Sequence, residues 1–332
     1  MSEPAIVNKS KKSMAQPKYL QALKNKTLHQ RAEYAWQMLE HCTLCPRKCG
    51  VNRLKNERGF CQTGRNAIVC SAFAHLGEEP PISGTRGSGA IFFSHCSMRC
   101  VYCQNHGFSQ EGEGVEVSLE ELSRHMCSLQ DEGCHNINVI TPTHVMPQIL
   151  EALILAAEQG LKIPLVYNTS GYELPEVLGL LDSIVDVYLP DMRYADQTNA
   201  VKYSAAPSYP ENNRKSILEM HRQVGIARID EEGIIQQGLI IRHLVLPEQI
   251  SGTEEILSFI AKHISPETHV SLMSQYFPTF EANLYPPLDR RLHLEEYEAA
   301  VELLKKYNLA NGWIQESGGL KRFAGTNIKR NV

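Results

Sequence analysis

The stretch SHCSMRCVYCQNH, residues 94–106, sets Cys96, Cys100 and Cys103 on one short segment. A chain spans at most about 3.3–3.6 Å per residue, so this segment can wrap one small metal centre and cannot serve two distant ones. Thiolates are soft donors that suit zinc or an iron–sulfur cluster. A structural zinc or a fully liganded cluster takes four protein ligands, and this segment offers three cysteines. Two readings follow. Either His95 or His106, which flank the cysteines, closes a zinc site, or one coordination position is left open for another molecule.

A second group lies upstream in CTLCPRKCGVNRLKNERGFC, where Cys42, Cys45, Cys49 and Cys61 are spaced C-x2-C-x3-C-x11-C. Four thiols so close in a reducing compartment mark a metal site. They suit a closed structural zinc and equally an auxiliary [4Fe-4S] cluster. The first would clip together a segment with little apolar core, and the second could relay electrons or bind substrate. Cys70, Cys127 and Cys134 fall outside both groups and read as small buried hydrophobes.

The rest of the chain must hold these groups in place. Its 332 residues are 42% hydrophobic and 21% charged, the composition of a globular protein. A formal net charge of −4 gives no reason to expect nucleic acid. The start MSEPAIVNKSKKSMAQ lacks an apolar h-region, and nowhere do about 18 apolar residues run together as a membrane span requires. A cytoplasmic protein with reduced cysteines is expected. The lysines from Lys9 to Lys26 read as a solvated, frayed tail.

Leu28, Ala32, Ala35, Trp36 and Leu39 share one face of a predicted helix. Residues 42–66 have no sustained periodicity and read as a loop wrapped on metal. Residues 1–66 are therefore expected to form an N-terminal appendage, with 67–332 a core domain and its C-terminal extension. From residue 89, candidate strands at 89–94, 136–141, 164–168, 186–190, 239–247 and 269–274 alternate with helical patterns. One of these opens at Ser118 with Glu121 three residues on, a capping box. Strands alternating with helices predict a parallel sheet, because parallel neighbours need crossovers. Should the sheet curve into a barrel, the strands' C-terminal ends form the working face, and the three-cysteine loop follows the first strand.

Cys-x-x-x-Cys-x-aromatic-Cys, here Cys96, Cys100, Tyr102 and Cys103 after the first strand of a β/α series, resembles the signature of the radical S-adenosylmethionine (radical SAM) enzymes. The resemblance implies a partial (β/α)6 TIM-type barrel in which the three cysteines bind three irons of a [4Fe-4S] cluster. The amino and carboxylate groups of SAM chelate the fourth iron. A reductant such as flavodoxin or ferredoxin supplies an electron, and SAM is cleaved to methionine and a 5′-deoxyadenosyl radical that abstracts hydrogen. GSGAIFFSHCSMRCVYCQN is similar to the branch containing pyruvate formate-lyase activating enzyme. It is closer still to activase-like proteins that also carry LCPRKC and GFC, and the likeness covers roughly residues 40 to 320.

Carried over by position, the resemblance marks further SAM contacts. Asn168 and Ser170 in YNTSGY fall where the family places polar contacts, though both also suit a plain turn. Asp191 and Arg193 in LPDMRY match an Asp-x-Lys. Arg242 in IIRHLVLP matches an arginine near SAM, or else forms a structural ion pair, since a mid-strand arginine needs a partner. His243 points the other way along the strand. Gln275 and Tyr276 are further pocket candidates. One departure stands out: VITPTHV, where the family has an acid for the amino group of SAM, offers only backbone carbonyls and the hydroxyls of Thr141 and Thr143. The expected function is radical SAM chemistry on an unknown substrate, with a glycyl-radical enzyme or another protein as candidate partner. The rival is a non-catalytic iron–sulfur or zinc protein that carries electrons or binds a partner.

Overall fold

The structure is a computed structural model and describes residues 16–315. Ten strands form its sheet: β1 (Ala67–His75), β2 (Ser88–Phe93), β3 (Val115–Val117), β4 (Ile137–Ile140), β5 (Leu165–Thr169), β6 (Val187–Pro190), β7 (Arg228–Ile229), β8 (Ile235–Leu244), β9 (His269–Met273) and β10 (Gly312–Ile314). Their order is β10-β9-β8-β6-β5-β4-β2-β1-β3, with β7 on β8. The six strands expected from the sequence are the central ones, and each pairs in parallel with its neighbour. Beyond them, β10 adds a parallel edge to β9, while β1 runs antiparallel to β2. β1 was hidden because AIVCSAFAH interleaves small and polar residues with its apolar ones. The architecture is an α/β partial barrel.

The helices between the strands follow their local signals. Helix Leu119–Asp131 starts where expected, with Ser118 Oγ accepting from the Glu121 amide at 3.1 Å and Glu121 returning a carboxylate to the Ser118 amide at 2.8 Å. Helix Met146–Glu158 is apolar on most of its surface because it is covered twice, by helix Leu119–Asp131 and by helix Thr27–Gln37. The pattern at 174–183 yields less than its periodicity suggests, only Pro175–Leu178 and a 3-10 turn at Gly179–Leu181.

Side-chain alternation along the strands sorts the sheet into two faces. Leu165, Tyr167, Tyr188, Leu239 and Ile241 face the helices and join the main core. Val166, Val187, Leu189 and Ile240 face the concave side, where they pack on Ile82. Ile82 belongs to the connection 76–87, which carries the short helix Pro80–Ser83 into the barrel and fills its floor. Two residues further along β5, β6 and β8, the same face presents Asn168, Asp191 and Arg242.

The segment before β1 shares the main core. Tyr19, Ala22, Leu28, Ala32, Ala35, Leu39, Cys42 and Leu44 are all buried in it. Of the lysines at the chain start, Lys9, Lys11 and Lys12 lie outside the described residues. Lys18 opens helix Lys18–Lys24, and its amide donates to Asp186 Oδ1 at 2.9 Å. Among the described residues no helix is long and apolar enough to cross a membrane.

Candidate active site

The loop after β2 carries Cys96, Cys100 and Cys103 and is fastened by its backbone to helix Gln197–Ser204. The amides of Arg99 and Val101 donate to the carbonyls of Ser204 and Tyr203 at 3.0 and 2.9 Å. Each sulfur has a polar neighbour. The Met98 amide donates to Cys96 Sγ at 3.3 Å, and Cys103 Sγ lies 3.0 Å from Ser109 Oγ. Cys100 Sγ accepts from Arg193 Nη1 at 3.1 Å and from Ser204 Oγ at 3.0 Å. Burial and the neighbouring Cys100 push the Cys96 thiol up to about 12, and burial raises Cys103 in the same direction.

Of the flanking histidines, His106 is engaged elsewhere and His95 packs its ring beside Gly112. His95 has a positive φ of 70° and sets its ring against Gly112, where any Cβ would collide with it. His106 lies 3.1 Å from Glu111 Oε1 and stacks on Phe280 with ring centroids 4.8 Å apart. Three thiols on one anchored loop, with polar neighbours in place, form a donor set that fits an iron–sulfur cluster with one iron left open. Among the described residues no three His, Cys, Asp or Glu side chains converge as a single metal ion needs.

Beside this loop opens a cavity of about 1070 Å³ whose walls include Tyr102, Cys103, Asn168, Asp191, Arg193 and Arg242. Ligand pockets commonly hold about 300–1,000 Å³, so this one can take two small molecules together. Gln275 and Tyr276 line it as well. Ser170 does not. It is buried beyond the end of β5, its Oγ has no hydrogen-bond partner, and its carbonyl accepts from Tyr209 Oη at 2.8 Å.

Several charged residues of the cavity form a chain. Asp191 Oδ2 accepts from Arg193 Nη2 at 2.6 Å and Nε at 3.1 Å, and Oδ1 accepts from Arg242 Nε at 2.9 Å. Burial opposes ionisation of Asp191, but Arg242 and Arg193 outweigh it and hold the carboxyl below its usual range. Arg242 then donates through Nη2 to Asn168 Oδ1 at 2.7 Å, with Nη1 3.5 Å from Glu78 Oε2. Cys100, Arg193, Asp191, Arg242 and Asn168 are thus linked hand to hand. Tyr102 belongs to a second chain: its hydroxyl lies 2.6 Å from that of Tyr194, which lies 2.7 Å from Ser204 Oγ on Cys100.

Two acids of this site carry no sequence signal. Glu78 and Glu79, in the turn-like GEEP, enter from the floor connection. Burial raises both carboxyls while Arg242 pulls the other way, and Glu79 Oε2 is buried without a partner. Thr143, by contrast, turns away from the cavity: its hydroxyl donates to Glu173 Oε1 at 2.5 Å. His243 lies on the helix side of β8, between the Met192 carbonyl and Thr253 Oγ1, and burial lowers it to about 4.

The second cysteine group sits against the first. Cys42, Cys45 and Cys61 are buried and Cys49 is exposed. Arg47 reaches from this group to the three-cysteine loop, donating through Nε to the Ser97 carbonyl at 3.0 Å and lying 3.6 Å above the Phe60 ring.

Comparison with known proteins supplies the family. The profile of the Radical SAM superfamily matches residues 90–260. An uncharacterised protein of Methanocaldococcus jannaschii is 32% identical over 87% of this chain and 82% of its own length. A pyruvate formate-lyase-activating enzyme of Clostridium pasteurianum is 24% identical over 63% of this chain and 83% of its own. A solved radical SAM methyltransferase from Sphaerobacter thermophilus aligns over 70% of this chain and 68% of that one, at 14% identity and a TM-score of 0.46. By its profile, the chain belongs to the radical SAM superfamily.

Proposed function

We propose that the protein reductively cleaves SAM and uses the resulting 5′-deoxyadenosyl radical to take hydrogen from a substrate. The observation that carries this is the loop 96–103: three thiols anchored beside a large cavity, with His106 turned to Glu111 and the His95 ring set beside Gly112. Cys96, Cys100 and Cys103 would hold three irons of a [4Fe-4S] cluster, leaving the fourth to the amino and carboxylate groups of SAM. When bound, that cluster supplies the electron for cleavage of the sulfonium.

The chain's own residues position and shield. Arg193 fixes Cys100 against Asp191, and the Tyr102–Tyr194–Ser204 chain seals the loop from behind. Arg242 and Asn168 present a guanidinium and an amide to the cavity, suited to a carboxylate and to ribose hydroxyls. Glu78 is an acid within that cavity, where the stretch after β4 has none to offer the ammonium group.

A cytoplasmic one-electron donor of the flavodoxin or ferredoxin type would reduce the cluster. The Clostridium relative supports a glycyl-radical enzyme as one candidate substrate, and mixing the two proteins should then produce a glycyl radical signal. The primary test is product analysis of the reconstituted, dithionite-reduced protein with SAM. 5′-Deoxyadenosine is expected, and Cys100→Ala should abolish it. Zinc in both cysteine groups and no 5′-deoxyadenosine would favour a non-catalytic metal protein instead.

A further inference from the structure

The loop that carries Cys96, Cys100 and Cys103 has two sides. Tyr102 and Cys103 line the cavity, whereas Arg99 is exposed and lies outside it. On the side of Arg99 the N-terminal segment meets the loop, with Phe60 at the junction. The guanidinium carbons of Arg47 and Arg99 lie 3.6 and 5.2 Å from the centroid of the Phe60 ring, and Arg99 Nη2 donates to the Phe60 carbonyl at 3.5 Å. Arg47 Nε donates to the Ser97 carbonyl at 3.0 Å, which ties this group to the backbone between Cys96 and Cys100. Arg58, exposed and close to Phe60 in the chain, brings a third guanidinium. Its charge and that of Arg99 both act on His95. Arg47, Arg58 and Phe60 also lie outside the cavity wall.

Charge segregates along the sequence in the same way. Residues 42–66 hold six Lys and Arg against the single acid Glu57, a net +5 in a chain of net −4, so the remaining residues sum to −9. Glu57 is taken by the Asn52 amide at 2.7 Å, and Lys48 is paired with Glu176 at 3.2 Å. Arg53 is buried, and Arg65 lies over Trp36 in a recess shared with Glu116 and Glu151. Arg47, Arg58 and Arg99 are left beside the loop. Guanidiniums stacked on a ring are held in place before a partner arrives, and arginine with an aromatic is what interface centres favour. A long polyanion would run off this patch onto an acidic molecule, whereas a compact acidic protein would not.

We propose that the face built by Arg47, Arg58, Phe60 and Arg99 docks an acidic one-electron donor of the flavodoxin type. The inference rests on the reaction proposed above. One electron leaves the donor's anionic flavin hydroquinone, which becomes the neutral semiquinone, and the cluster is reduced by that electron. No bond is made or broken, and the cavity stays open to SAM and substrate.

The test is the rate at which reduced flavodoxin bleaches the visible absorbance of the reconstituted full chain, together with calorimetric titration by oxidised flavodoxin. The wild-type rate should fall about tenfold or more from low to high salt. Arg58→Glu should slow reduction and weaken binding by about tenfold at low salt, while Arg58→Lys, which keeps the charge, should stay close to wild type. Photoreduced deazariboflavin, a small uncharged donor, should reduce all three alike. A wild-type rate indifferent to salt, or equal rates with flavodoxin in wild type and Arg58→Glu, would overturn the inference even where deazariboflavin supports 5′-deoxyadenosine formation. Tighter binding of a single-stranded RNA oligonucleotide than of flavodoxin at the same salt would overturn it too. Charge-dependent reduction without any 5′-deoxyadenosine would uphold the docking face and refute the SAM reaction.

Discussion

Arg193 gives one nitrogen to Cys100 and two to Asp191, and Asp191 gives its other oxygen to Arg242. Two guanidiniums therefore share one buried carboxylate. Removing the shared partner strands both, and breaking a buried ion pair costs about 3–5 kcal/mol. Asp191→Ala should lower the free energy of unfolding by that amount, read as a shift in the urea midpoint; an effect under about 1 kcal/mol, the size of a surface pair, would contradict the pairing. Arg193→Lys keeps the charge and loses the fork. It should fold, yet loosen the hold on Cys100, so the cluster should lose iron to a chelator faster than wild type. Asp191, Arg193 and Arg242 were legible as pocket residues by position, but their pairing was not, since Arg242 stands 51 positions from Asp191. Glu78 and Glu79 were illegible for a related reason. GEEP reads as a turn, and only the plunge of 76–87 into the barrel turns its acids inward.

At the scale of the elements, alternation decides which side chain reaches the cavity. It put Arg242 on the concave face and His243 among the helices, and both were readable from the strand period. Thr143 was not: it sits in the 3-10 turn after β4, whose rotation hands its hydroxyl to Glu173. Gly171 marks a close approach at the end of β5, with φ of 72° and the Asp191 carbonyl where a Cβ would go. Gly171→Ala should therefore displace Asp191 and destabilise the fold by about 1–3 kcal/mol.

Asp186 gives the elements a pH dependence. Its carboxyl accepts from the amides of Lys18 and Leu165, both at 2.9 Å, and burial raises it from 3.8 to about 6. Between those values the folded state holds more protons than the unfolded, so this group's contribution to stability falls as pH rises through that window. Asp186→Asn removes the titration. From pH 4 to pH 7 the variant should gain about 2 kcal/mol relative to wild type, measured by urea unfolding at both pH values. A constant difference across the window would mean that the carboxyl is not buried in this way.

For the whole molecule, the segment before β1 is built into the barrel's outer layer. Helix Thr27–Gln37 lies on helix Met146–Glu158, and Tyr19 is fully buried with its hydroxyl donating to the Ile163 carbonyl at 2.9 Å. The sequence showed an amphipathic helix there but could not show which surface would receive it. Tyr19→Ala should cost about 3–5 kcal/mol, the range for large aromatic truncations. Shared packing predicts that this loss shifts one cooperative unfolding transition of the reconstituted protein. A separate, earlier transition for the N-terminal segment would show that it folds on its own.

The 96–103 loop, the cavity and the buried charge chain are what the proposed reaction calls on, with an iron beside the cavity that no side chain occupies. The most direct measurement is the EPR spectrum of the reduced protein recorded with and without SAM, in the Cys45→Ala, Cys49→Ala variant so that only the 96–103 loop contributes. Binding of SAM to an open iron predicts a changed spectrum. Superimposable spectra at saturating SAM would contradict it.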